Sequence, residues 1–110
     1  MNGSTVLFFE NFKVRVIDLY TFEEREPIYL LKQNNLKDLG ENAVDVAVDK
    51  ELEAFAIATP TFVYIFDFTY LYQAQIQVES IERVLFCQYH IVVMVNAGDS
   101  AYFICYQIDD

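Results

Sequence analysis

Residues 52–68 read LEAFAIATPTFVYIFDF, two apolar runs joined by Thr59-Pro60-Thr61. In an extended chain successive side chains point to opposite sides. Phe62, Tyr64, Phe66 and Phe68 therefore share one face, and Val63 and Ile65 share the other. A hairpin resting on solvent needs only one oily face and alternates apolar with polar residues. Here both faces are apolar, so this hairpin is expected to lie between two other layers.

Working outward, period-two alternation and enrichment in β-branched and aromatic residues divide the chain into strands at 5–10, 13–20, 27–32, 44–49, 53–59, 62–69, 73–78, 83–88, 91–96 and 101–108. The polar connector QNNLKDLGEN (33–42) has room for one helical turn, and no longer helical pattern occurs. The fold class is all-β. With three glycines and two prolines in 110 residues, the turns are expected to rely on Asn, Asp, Lys and Glu.

Three segments align: VLFFENFKVRVIDLYT (6–21), AFAIATPTFVYIFDFT (54–69) and IVVMVNAGDSAYFICYQID (91–109). Each is an apolar strand, a short turn and an aromatic-rich strand closing on a triplet: Ile17-Asp18-Leu19, Phe66-Asp67-Phe68 and Tyr106-Gln107-Ile108. The period is 49 residues from Asp18 to Asp67 and 40 from Asp67 to Gln107. A four-stranded unit recurring at about 40–50 residues marks β-propeller blades, whose inner strands are covered on both faces. About two and a half such antiparallel units are expected, over 5–32, 44–78 and 82–108, within a single partial propeller domain spanning 1–110. A small β-sandwich or barrel is the alternative.

The triplets resemble the strand ends of WD-repeat propellers, with VIDL (16–19) and IFDF (65–68) standing where that family places a Trp-Asp pair. This chain has no tryptophan, and Ile17 and Phe66 occupy the position, so the likeness is to a degenerate form. A narrower resemblance is to the PROPPIN autophagy propellers, carried by ESIERVLFCQYHIVVMV (79–95) and FKVRVIDLYTFEEREPIYLL (12–31). It implies a setting in membrane trafficking or autophagy. The Phe-Arg-Arg-Gly lipid motif of that family is absent, so phosphoinositide binding is assigned to no residue here.

Net charge is −10, from 7 basic and 17 acidic residues, and residues 51–110 hold eight acids against the single base Arg83. Such a surface repels phosphate backbones and anionic lipid headgroups. Nucleic acid and direct membrane binding by this segment are accordingly not expected. The expected partner is a protein, or further propeller blades, with a homo-oligomer as another option. The carboxylates Glu23, Glu24 and Glu26 form a candidate acidic interaction surface for a basic partner, and a solvated turn is the plainer reading. MNGSTVLFFEN lacks the basic start and apolar length of a signal peptide. Cys87 and Cys105 lie within apolar strands and are expected to be buried, reduced thiols, which places the chain in the cytoplasm.

Catalytic chemistry finds little support. His90 is the only histidine, and Cys87, three residues earlier, is expected on the opposite strand face, so no nucleophilic pair is assigned. Cys87, His90 and Cys105 have the residue types of zinc ligands but sit in strands rather than a tight knuckle. Neither a catalytic residue, nor a metal ligand, nor a cofactor is assigned. Asp18 and Asp67 recur at equivalent repeat positions and are expected to be structural, each accepting backbone N–H bonds from an adjacent turn. Replacing Asp67 by Ala is then expected to cost about 1–3 kcal/mol. The expected function is that of a non-enzymatic protein–protein interaction scaffold, the alternative being a small structural β-domain completed by symmetric copies.

Overall fold

The computed structural model describes residues Thr5–Ile108. Asp109, which closes the third repeat segment, lies outside them. Two compact units divide between Leu39 and Gly40. The first holds β1 (Thr5–Glu10), β2 (Lys13–Asp18), β3 (Ile28–Tyr29) and the one-turn helix α1 (Leu30–Gln33). The second holds β4 (Asp45–Asp49), β5 (Ala54–Ala58), β6 (Phe62–Asp67), β7 (Tyr72–Gln77), β8 (Ile81–Cys87), β9 (His90–Ala97) and β10 (Ser100–Gln107). All strand pairs are antiparallel, in sheets ordered β1-β2-β3, β4-β5-β6-β7 and β10-β9-β8.

In the first unit β1 and β2 pair in register from Thr5↔Asp18 to Glu10↔Lys13. The strand expected over 27–32 is corrected: β3 keeps only Ile28 and Tyr29, opposite Val14 and Lys13. The partner strand β2 begins at Lys13, so in antiparallel pairing little of it is left beyond Tyr29. The Leu30 N–H donates to the Phe12 carbonyl (2.9 Å), and the chain then bonds to itself, with Asn34 N–H and Nδ2 both donating to the Leu30 carbonyl. Leu30-Leu31-Lys32-Gln33 are good helix formers, and the turn buries Leu30 completely. The helical turn expected within 33–42 thus falls just ahead of it.

The second unit answers the question raised by residues 52–68. Every residue of β5 is buried, as are the four residues Val63–Phe66 of β6. Register puts Ala54, Ala56, Ala58, Val63 and Ile65 on one face. They form one hydrophobic cluster with Ile81, Val84, Ile91, Val93 and Val95 of the β8–β9–β10 sheet. The three alanines let β8 approach β5 closely, and the branched side chains of β8 and β9 complete the cluster. The opposite face carries Phe55, Ile57, Tyr64 and Phe66, also buried. Phe55 stacks on Phe66 at 5.3 Å between ring centroids, and Tyr70 and Tyr72 meet them edge-on at 6.1 and 6.3 Å. Both faces of the hairpin are dry.

The turn between β5 and β6 is pinned by one carboxylate. Thr59, buried at 1% exposure, and Thr61 both donate their hydroxyls to Glu41 Oε1, at 2.9 and 2.5 Å. The Phe62 N–H in turn donates to Thr59 Oγ1 (3.1 Å). Glu41 belongs to the connector read from sequence as merely polar.

The turns depart from expectation. Among the described residues eight non-glycine residues have positive φ, and besides Asn11, Asn35 and Ser80 they include Phe22, Tyr70 and Tyr89. In the β8–β9 turn both central residues, Gln88 (φ 48°) and Tyr89 (φ 66°), are left-handed, as a two-residue hairpin with primed geometry requires. Strand pairing on either side imposes the conformation, although each such residue costs about 1–2 kcal/mol.

Ala56, fully buried at the centre of the alanine face, tests the tight inter-sheet packing. Ala56→Leu is expected to destabilise by about 1–3 kcal/mol through overpacking, measured by urea unfolding. An unchanged midpoint would mean the sheets are not closely apposed there.

Candidate functional site

Asp18 and Asp67 each end a strand and organise the turn that follows. Asp18 Oδ1 accepts from the Tyr20 and Thr21 N–H groups (2.8 and 3.3 Å), and the Asp18 carbonyl accepts from Phe22 N–H (2.7 Å). Asp67 Oδ1 accepts from the Thr69 N–H (2.8 Å), the Thr69 hydroxyl (2.6 Å) and the Leu71 N–H (3.1 Å), while Oδ2 accepts from Gln73 Nε2 (3.0 Å). Partial desolvation pushes the Asp67 pKa upward, but the Thr69 hydroxyl and the Leu71 and Thr69 amides outweigh it and hold it below the ordinary carboxylate value. Asp49 organises the turn after β4, taking the Glu51 and Leu52 N–H groups on Oδ1 (2.8 and 3.2 Å).

The acids at 23–26 do not act as one group. Glu24 is committed to Arg15, whose Nε and Nη2 both reach it at 2.8 Å, while Arg15 Nη1 takes Glu10 at 3.0 Å. The guanidinium also lies over the Phe8 ring, 5.9 Å from its centroid. Hydrogen bonding to Arg15 lowers the Glu24 pKa, and the two carboxylates raise that of Arg15. Glu23 and Glu26 are exposed. Between Asp18 and Glu26 the chain holds its apolar side chains outward, with Leu19 44%, Tyr20 71% and Phe22 78% exposed. Backbone bonds from Asp18 N–H to Glu23 O and from Arg25 N–H to Val16 O (both 2.9 Å) close the loop, so these rings are presented on a defined frame.

Cys87 and Cys105 are free but exposed, which corrects the expectation of burial. Cys87 ends β8 and Cys105 pairs with Val92, both on the face of the β8–β9–β10 sheet turned away from the Ile91–Val93–Val95 core. Cys87 and His90 are cross-strand partners, so they share a face. The expectation of opposite faces counted along one strand, whereas a two-residue turn intervenes. His90 Nδ1 lies 2.9 Å from the Gln88 carbonyl. Among the described residues no group of three or more His, Cys, Asp or Glu could hold a metal ion, and no helix is long and apolar enough to cross a membrane.

Asp45 carries a role that sequence reading missed. Its Oδ2 accepts from the Val84 N–H (3.0 Å), so this β4 carboxylate bridges to the neighbouring sheet at β8. A polar residue opening an apolar strand was the available signal, but its partner lies 39 residues away.

Solved structures share this succession of three- and four-stranded antiparallel sheets. Over 97% of its length the chain superposes on Sqt1 of Saccharomyces cerevisiae with a TM-score of 0.65 and 11% identity, and over 83% on the WD40 repeats of RRP9 with 0.62 and 7%. The sheets are WD40-type propeller blades. The chain spans 31% and 29% of those two proteins' lengths, so it corresponds to less than a third of either. No family model and no curated relative matches it. The likeness to these two structures is one of fold. The middle blade, β4–β7, is the complete four-stranded one.

Two substitutions test these carboxylates. Asp67→Asn is expected to cost about 1 kcal/mol near neutral pH, the low end because water replaces part of what a half-exposed carboxylate loses. The Asp67 pKa is lower folded than unfolded, so its contribution is complete above the ordinary carboxylate pKa. It fades as pH falls through the depressed value. The stability gap between wild type and variant, followed by denaturation across pH, should therefore close in acid. Asp45→Ala, by orphaning the Val84 amide, is expected to cost about 1–3 kcal/mol, whereas a surface carboxylate such as Glu79 should tolerate the change.

Proposed function

We propose that this chain is a non-enzymatic protein–protein interaction scaffold of the propeller type, a partial propeller domain over residues 1–110. The observation that supports it most is the Asp18–Glu26 loop. A frame of backbone and Asp18 hydrogen bonds presents Leu19, Tyr20 and Phe22 to solvent, flanked by the exposed carboxylates Glu23 and Glu26. Large rings held rigidly at a surface contribute contact area at little entropic cost, which is what interaction hot spots require. Carboxylates around them select a basic partner. Arg15, held by Glu24, Glu10 and the Phe8 ring, shows how this part of the chain accommodates a guanidinium. Asp18 and Asp67 are, in this reading, structural repeat positions that shape the loops. A setting in membrane trafficking or autophagy, and a cytoplasmic location, rest on the likeness of 12–31 and 79–95 to PROPPIN strands and on composition alone.

The chain immobilised at physiological salt in an extract of its source cells is expected to retain a basic protein. Tyr20→Ser with Phe22→Ser should cost at least tenfold in retention, as loss of one hot-spot ring does at about 2 kcal/mol. Retention by both forms alike, or of no basic protein at all, would count against the scaffold reading.

A further inference from the structure

Blades stack face to face, so further blades cover the faces of the β4–β5–β6–β7 sheet and leave its outer edge open. That edge is β7, which pairs with β6 on one side and ends the sheet order. The Val78 N–H donates to the Thr61 carbonyl (3.0 Å), one step beyond the register partners Phe62 and Gln77. Bonded pairs alternate along an antiparallel ladder. Ala74 and Ile76 therefore turn their N–H and C=O groups to β6, and Gln75 and Gln77 turn theirs outward. Among the described residues no turn, loop or side-chain hydrogen bond involves Gln75 or Gln77. Edge strands are usually blunted by charge, proline, extreme shortness or a covering helix. The first sheet of this chain does so: its last strand, β3, is two residues long, follows Pro27 and runs into α1. β7 runs six residues with neither charge nor proline, and its one register shift lies toward its start. No charged residue occurs from Phe68 to Val78, although 22% of the chain is charged. This edge is left ready to pair.

We infer that the β7 edge is a strand-addition site for a partner protein, whose extended segment bonds its backbone to Gln75 and Gln77 and carries Lys or Arg at its ends. The inference rests on the scaffold reading only in taking a protein as partner, and it shares no residue with the Asp18–Glu26 loop. Charge selects the occupant. The turn beside the start of β7 carries Asp49, Glu51 and Glu53 against Lys50, and the Phe68 N–H ties to it through the Glu53 carbonyl (3.0 Å). Exposed Glu79 follows the other end. A basic-ended segment is attracted at both ends, while main-chain bonds to the edge supply affinity. A second copy would bring the same acids to both ends, from a chain of net charge −10.

The probe is a synthetic peptide, Lys-Thr-Val-Thr-Val-Thr-Lys, and the readout is amide hydrogen exchange of the chain followed by NMR. At millimolar peptide the Gln75 and Gln77 amides should exchange about tenfold more slowly, as a site nine-tenths occupied gives. Ala74 and Ile76, already bonded to β6, should hardly change. Gln75→Pro removes one outward donor and no bond to β6, so it should keep the urea midpoint near wild type and lose the protection at Gln77. Gln75→Lys with Gln77→Lys leaves the backbone intact and should abolish protection by opposing the peptide's charge. A peptide with Glu in place of both end lysines should protect neither amide. Unchanged exchange at Gln75 and Gln77, or equal protection by the two peptides, would overturn the proposal. So would protection that grows with chain concentration in the absence of peptide, which would mean pairing between copies. Tyr20→Ser with Phe22→Ser should leave exchange at β7 unaltered. Failure at the edge and loss of retention at the loop are therefore read separately.

Discussion

The second unit depends on one contact, the packing of β4 and β5 against β8 around the apolar cluster shared by the two sheets. Ala54, Ala56 and Ala58 share one cluster with Ile81 and Val84 of β8 and Ile91, Val93 and Val95 of β9. Dispersion forces fall steeply with separation, so the small side chains matter as much as the large ones. The Asp45 bond to the Val84 amide lies beside this contact. It joins the two sheets by a directional interaction where the apolar cluster is non-directional.

Carboxylates do unusual work in this chain. Asp18, Asp49 and Asp67 each end a strand by accepting the amides of the next turn, a substitute for the glycines that the sequence lacks. Glu41 holds the Thr59–Thr61 turn from a connector segment. A large acidic surplus therefore overstates the free negative surface. Some of those charges are spent on loop shape, and Glu24 and Glu10 are spent on Arg15. What is left outward is patterned: rings with Glu23 and Glu26 in one loop, and an uncharged strand edge at β7.

The strand inventory was legible because side-chain alternation is a property of the local chain. Residues 54–58 and 62–67 announced a covered hairpin since neither face had a polar row, and the repeat spacing pointed to blades. The misreadings share a physical origin. The segment 27–32 has strand-like composition, but a strand needs a partner, and β2 begins only at Lys13, opposite Tyr29. Cys87 and His90 were assigned opposite faces by counting along one strand, and a turn at Gln88–Tyr89 reverses the chain between them.

By itself, then, the sequence determined the all-β class, the strand spacing, the repeat and the acidic balance, because each is written in neighbouring residues. Only the tertiary structure decided which apolar faces are covered and which are open. Cys105 and Val93 belong to equally oily strands, yet one is exposed and the other fully buried. The same holds for Asp45 and Glu41, whose partners come from distant segments. Burial and long-range hydrogen bonding depend on what packs against a strand, and alternation along the chain does not encode that.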